Sequence, residues 1–114
     1  MLGRSPFLAR NFPVIDRFER GIATSIKSID LRAAKYQNIR TLMRVVQQHI
    51  DTLANWQGQL RPWGGVRIRS YQITGRVLEL AVPPEATPAQ EAALRQLQQY
   101  AESLGVMLKI IVIK

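Results

Sequence analysis

The 114-residue chain contains no cysteine and a single histidine, His49. Disulfide scaffolds, thiol nucleophiles and cysteine-ligated zinc are therefore excluded, and so are multi-histidine metal centres and histidine-centred serine or cysteine triads. Long apolar runs are also missing: nothing approaches the roughly 18 consecutive apolar residues of a membrane span, so no membrane span is expected. Residues 1–10 carry two arginines among short apolar stretches too brief for a signal peptide and are expected to be a leader or a truncation boundary. Acidic residues are scarce as well. Eight Asp and Glu face sixteen Lys and Arg, giving +8 and a pI near 10.9. That balance favours an anionic partner such as nucleic acid, an acidic protein or a lipid surface.

What is present reads as one domain with a modest core. Phe12–Phe18 alternates weakly, "ERG" follows, and "IATSIKSI" is β-branched, which predicts a hairpin with a tight turn at Arg20-Gly21. Apolar residues at Ile39, Leu42, Met43, Val46, Ile50 and Leu53 have helical spacing, predicting an amphipathic helix from about Leu31 to Trp56. "QGQLRPWGG" is a loop, "VRIRS" and "RVLELAV" predict two strands, and Thr87-Pro88 with Glu91 starts a second helix that Gly105 stops. "VMLKIIVIK" predicts an interior or parallel strand. The expected fold is therefore α/β (α+β), a mixed sheet with two main helices in the order β-β-α-β-β-α-β, its last β-α-β unit a right-handed crossover.

A two-residue turn at Arg20-Gly21 pairs Glu19 with Ile22 and places Asp16 opposite Ser25. Period-two alternation then puts Asp16, Ser25 and Lys27 on one face. A carboxylate that holds a divalent cation, a neighbouring hydroxyl or the Ile26 carbonyl, and a lysine suit metal-assisted phosphodiester hydrolysis. An exposed Asp–Lys ion pair fits the spacing equally.

"FPVIDRFERGIATSIKSIDL", "ITGRVLELAVPPEATPAQ" and "YAESLGVMLKIIVIK" resemble the C-terminal toxin domain of contact-dependent growth inhibition proteins, of the PD-(D/E)xK nuclease-like type. The resemblance covers residues 11–114, expected to form the toxin domain. It implies a restriction-endonuclease-like fold and a metal-dependent endonuclease, with Asp16 matching the family aspartate and Ser25-Ile26-Lys27 the (D/E/S)-x-K triplet. The implied roles are Asp16 and Ser25 as ligands of a divalent ion (Zn, Mg or Mn) and Lys27 as the catalytic lysine. It also implies a large cell-surface parent protein, action in the target-cell cytoplasm, DNA as substrate with tRNA as runner-up, and a cognate immunity protein, which the basic charge predicts to be acidic where it docks. A further glutamate upstream of the aspartate belongs to the family pattern. No acidic residue precedes Asp16, so that ligand is expected beyond Met1 or lacking, with Glu19 and Asp30 the nearest substitutes.

Thr74 and Arg76 match family positions near the active face, where Arg76 could fork onto a phosphate or simply bind a carboxylate. Lys35, Arg40 and Arg44 form a stripe that suits nucleic-acid backbone contact or a solvated helix face. His49 sits at the margin of the apolar face, and Trp56 and Trp63 read as core caps rather than stacking platforms. The competing class is a basic binding module that grips nucleic acid or an acidic protein without cutting.

Overall fold

The computed structural model describes residues 14–58 and 68–113. Strands β1 (Arg17–Glu19) and β2 (Ile22–Ser28) form the expected hairpin, with Glu19 opposite Ile22. Arg20 and Gly21 both have positive φ, 53° and 84°, the conformation that matches the twist of a two-residue hairpin. Glycine is required at the second position for space as well. A Cβ on Gly21 would stand 2.3 Å from Thr74 Oγ1, and the Gly21 carbonyl accepts the Thr74 N–H at 2.8 Å.

Helix α1 (Ile39–Asn55) crosses to β3 (Gly75–Val82), which lies parallel to β2. Helix α2 (Pro88–Ser103) then crosses to β4 (Val106–Val112), parallel to β3. The result is a four-stranded mixed sheet in the order β1-β2-β3-β4. Thr87 caps α2 as its sequence predicts, accepting the Gln90 N–H, and Gly105 ends it at φ +78°.

Both helices pack on one face of the sheet and on each other. Register partners share a face, so Ala23, Ser25, Leu78, Leu80, Val82, Val106 and Leu108 form the buried floor. Leu42, Val46, Ile50 and Leu53 of α1 and Ala93, Leu94, Leu97 and Ala101 of α2 close over it. The heptad-like spacing that predicts α1 is therefore the spacing that it buries. Truncating a fully buried leucine such as Leu78 costs about 2–5 kcal/mol. The opposite face carries Arg17, Thr24, Glu79, Met107 and Lys109, with Arg17 and Glu79 paired at 2.6 Å.

Three expectations are corrected. β1 begins only at Arg17, although Phe12 and Pro13 lie outside the described residues. α1 begins at Ile39 rather than near Leu31. Buried Gln90 donates through Nε2 to the Leu31 and Tyr36 carbonyls, at 2.8 and 3.0 Å, which holds that segment as turns and a short 3-10 helix until Asn38 caps α1. The strand expected at "VRIRS" is absent in its described part, and the order among the described residues is β-β-α-β-α-β. Both edges of β3 are occupied by β2 and β4, and Arg69 instead exchanges hydrogen bonds with Gln72 to start a 3-10 turn. Val66, Arg67 and Trp63 fall outside the described residues.

Candidate active site

The hairpin register fixes the site. The regular pairing ends at Arg17 opposite Thr24, one residue short of Asp16. There the ladder changes hands. The Ile26 N–H, which continued pairing would give to Ile15, is taken by Asp16 Oδ2 at 2.7 Å, while the Asp16 N–H reaches the Thr24 carbonyl at 2.8 Å. A carboxylate oxygen thus stands on the amide in the middle of the Ser25-Ile26-Lys27 triplet. The chain turns into this position through Val14, a β-branched residue at φ 68°, a conformation that costs about 1–2 kcal/mol. Fully buried Ile15 anchors the turn from the core side.

Ser25 is buried and Lys27 half-buried on the helix-covered face, in register with Leu78 and Leu80. Burial, and after it the positive charge of Lys27, lowers the His49 pKa below its ordinary 6.5. The sequence signal for His49 was thin: a lone histidine three residues after Val46, at the border of the apolar stripe.

The remaining expected residues lie elsewhere. Thr74 packs on the hairpin turn, four register steps from Leu78, or about 13 Å along the sheet. Arg76 shares the covered face but sits at the start of β3, where its Nη2 donates to the Trp56 carbonyl at 2.8 Å and so satisfies the C-terminal end of α1. Its Nε is buried without a hydrogen-bond partner. Trp56 is buried as a cap on the core. Arg40 and Arg44 are exposed on α1. Lys35 is exposed on the 3-10 helix over the Tyr36 ring.

Asp16 has no carboxylate beside it from either named substitute. Glu19 is exposed at the turn on the opposite face, and Asp30 is engaged by Arg32 at 3.0 Å, whose hydrogen bonds lower its pKa. Among the described residues there is no cluster of three or more His, Asp or Glu side chains. The donors at the hairpin are a carboxylate, a hydroxyl and the Ile26 carbonyl, an all-oxygen set. Such a set fits a hard divalent cation that keeps several waters and completes its shell on a phosphate.

Similarity to known proteins extends over nearly the whole chain. It is 29% identical over 110 residues to the deoxyribonuclease CdiA-o11 of Escherichia coli O157:H7 (strain EC869), covering 94% of this chain and 29% of that protein. It is 30% identical over 110 residues to the deoxyribonuclease CdiA of Yersinia pseudotuberculosis serotype O:3 (strain YPIII), covering 94% of this chain and 10% of that protein. The chain thus spans less than a third of the length of either relative. Its structure superimposes on a chain of the CdiA-CT/CdiI toxin and immunity complex from Yersinia pseudotuberculosis with a TM-score of 0.80 and 25% identity, over 100% of this chain and 91% of that one. Residues 1–111 match the family described as the CDI toxin restriction endonuclease-like domain. By fold, by the hairpin that carries its aspartate and S-x-K triplet, and by this match, the chain belongs to that family of contact-dependent growth inhibition toxins.

Proposed function

We propose that the chain is the nuclease domain of an interbacterial toxin that cuts DNA in a target cell, with the hairpin as its metal-dependent active site. The observation that carries this reading is the Asp16 carboxylate held on the Ile26 amide between Ser25 and Lys27. The names of its relatives as deoxyribonucleases favour DNA over tRNA.

Asp16 and Ser25 would hold the cation, with the Ile26 carbonyl on the same edge of β2. When bound, the cation supplies polarisation of the scissile phosphate and lowers the pKa of a bound water. The chain's own groups do the rest. The Ile26 N–H fixes one Asp16 oxygen and leaves the other free to bind. Lys27 presents a cation to the charge that develops on phosphate. The +8 charge raises the local concentration of nucleic acid before any specific contact forms. The domain would be delivered as part of a larger cell-surface protein and act in the target-cell cytoplasm. A cognate immunity protein, acidic where it docks, would neutralise it. One observation favours the non-catalytic binding module instead: neither Glu19, at the exposed turn, nor Asp30, engaged by Arg32, joins Asp16.

The purified chain is incubated with plasmid DNA and total tRNA in Mg²⁺, Mn²⁺ or Zn²⁺, beside Asp16→Ala and Lys27→Ala. Metal-dependent cutting of DNA that both substitutions abolish is expected. Cutting of tRNA alone would reassign the substrate. Salt-dependent binding without cutting would replace the enzyme with the binding module.

A further inference from the structure

Among the described residues, three that are not glycine have positive φ: Val14, Arg20 and Glu85. Arg20 lies in the hairpin turn and Glu85 in the loop before α2. Val14, at φ 68°, is the β-branched one, and for such a side chain this backbone is an outlier. It stands two residues before the site aspartate, where the pairing of β1 with β2 is itself irregular. The Asp16 N–H bonds the Thr24 carbonyl at 2.8 Å, yet Thr24 is already the register partner of Arg17. Two residues therefore oppose one, the arrangement of a β-bulge, which re-aims a side chain. Resting on the nuclease reading, we propose that Val14 is a positioning residue: its left-handed backbone maintains this bulge, holds the Asp16 carboxylate on the Ile26 amide and so preforms the cation site.

One donor decides the geometry. Uninterrupted pairing would give the Ile26 N–H to the Ile15 carbonyl and set Ile15 beside Ile26, on the sheet face away from the helices that Ile26 shares with Glu79. Instead Asp16 Oδ2 takes that N–H at 2.7 Å, and Ile15 turns into the core. The two acceptors compete for the same hydrogen. An extended backbone at residue 14 would favour the Ile15 carbonyl and leave the carboxylate without its anchor. The side chain of Val14 packs against the core and resists that relaxation, so the strain persists because its surroundings over-determine it. A carboxylate held before the cation arrives has less freedom to lose on binding.

Two substitutions separate backbone from side chain. Val14→Asn gives up the apolar group but accepts a left-handed backbone, whereas Val14→Pro keeps apolar bulk and fixes φ at about −65°. In calorimetric titration with Mn²⁺ alone, Val14→Pro should weaken binding about 10- to 100-fold and Val14→Asn by less than about threefold. DNA cleavage at limiting Mn²⁺ should follow the same order. A purely structural role predicts the reverse, since asparagine loses the packing. Should Val14→Pro fail to fold, Val14→Gly, which admits extended and left-handed backbones alike, takes its place with a loss of about 3- to 10-fold expected. The metal-free readout is the Ile26 amide in ¹H–¹⁵N NMR spectra. Asp16→Asn should move that resonance in the native chain and leave it in place in the Val14→Pro background, where the carboxylate no longer holds it. Native-like Mn²⁺ affinity in the proline or glycine variant, or a loss in Val14→Asn as large as theirs, overturns the proposal. So does an Asp16→Asn shift of the same size in both backgrounds. If the native chain neither binds Mn²⁺ nor cuts DNA while the amide responds as expected, the nuclease reading fails, and with it the cation site that Val14 would preform.

Discussion

Replacing Asp16 by asparagine and by alanine separates its two duties, anchoring the hairpin and carrying charge. The Asp16 carboxylate accepts the Ile26 N–H at 2.7 Å, a charge-assisted hydrogen bond. Bonds of this class contribute about 1.5–3 kcal/mol, against about 0.5–1.5 kcal/mol for a neutral pair. Asp16 is half-exposed, so water replaces part of what is lost and the lower half of each range applies. Asp16→Asn keeps an acceptor oxygen in place and should cost about 1 kcal/mol; Asp16→Ala, which leaves the Ile26 N–H to solvent, should cost about 1–2 kcal/mol. A domain of this size has a total stability of the order of 6–17 kcal/mol, so both variants stay folded. In urea denaturation the midpoint should fall stepwise, native above Asn above Ala, by about half a molar at each step with an unchanged slope. Cleavage should not follow that order. A neutral amide holds a divalent cation poorly, so both variants should lose at least about 10²–10³-fold in rate. An Asp16→Asn protein that cuts as well as native would refute the assignment of Asp16 as a cation ligand. A graded loss parallel to the urea midpoints would reduce Asp16 to a structural cap.

Gln90→Leu removes the donor to the buried Tyr36 carbonyl, while the Leu31 carbonyl keeps Gln37 Nε2 and the Thr87 N–H, at an exposed residue, turns to water. At about 1–3 kcal/mol for one buried group left unpaired, a destabilisation in that range is expected by urea denaturation, and a shift below about 0.5 kcal/mol would contradict it. Gly21→Ala meets Thr74 Oγ1 at 2.3 Å and the Gln72 carbonyl at 3.1 Å in a left-handed backbone. A loss of about 1–3 kcal/mol is expected, part of it recovered by Thr74→Ser or Thr74→Ala in the same chain; a neutral Gly21→Ala would show that the turn is not fixed. His49 binds its proton less tightly in the folded than in the unfolded chain. Its contribution to stability is therefore complete above pH 6.5 and is lost as pH falls from there through the lower folded-state pKa. The melting temperature of the native chain should decline more steeply than that of His49→Gln as pH falls from 7 to 5, and parallel curves would remove His49 from the account.

Features settled by neighbours in sequence were legible without coordinates. The Arg20-Gly21 turn sets the hairpin register as far as Arg17 opposite Thr24, so that much could be laid out from a single assumption about two dihedral pairs, whereas at Asp16 the ladder departs from simple alternation. Thr87, Pro88 and Gly105 mark the ends of α2 through local backbone chemistry, and the apolar spacing of α1 is an intrinsic property of a 3.6-residue period. Alternation misled in the described part of "VRIRS", Ile68 to Ser70, because both sides of β3, the strand it was expected to neighbour, are taken by β2 and β4. Helical spacing did not reveal where α1 begins, because the amide that stops it from extending back to Leu31 comes from Gln90, 59 residues away.

The sequence by itself therefore determined the hairpin, the two helices, the parallel closing strand and the resemblance that names the chemistry, since each rests on local dihedrals or on composition. Tertiary structure alone decided that Thr74 and Arg76 stand at the far end of the strands from Lys27 and that Arg76 closes the C-terminal end of α1. Those relations depend on which helix face packs on which strand, and the packing of α1 across the sheet is set by burial of its apolar stripe rather than by any residue of the site.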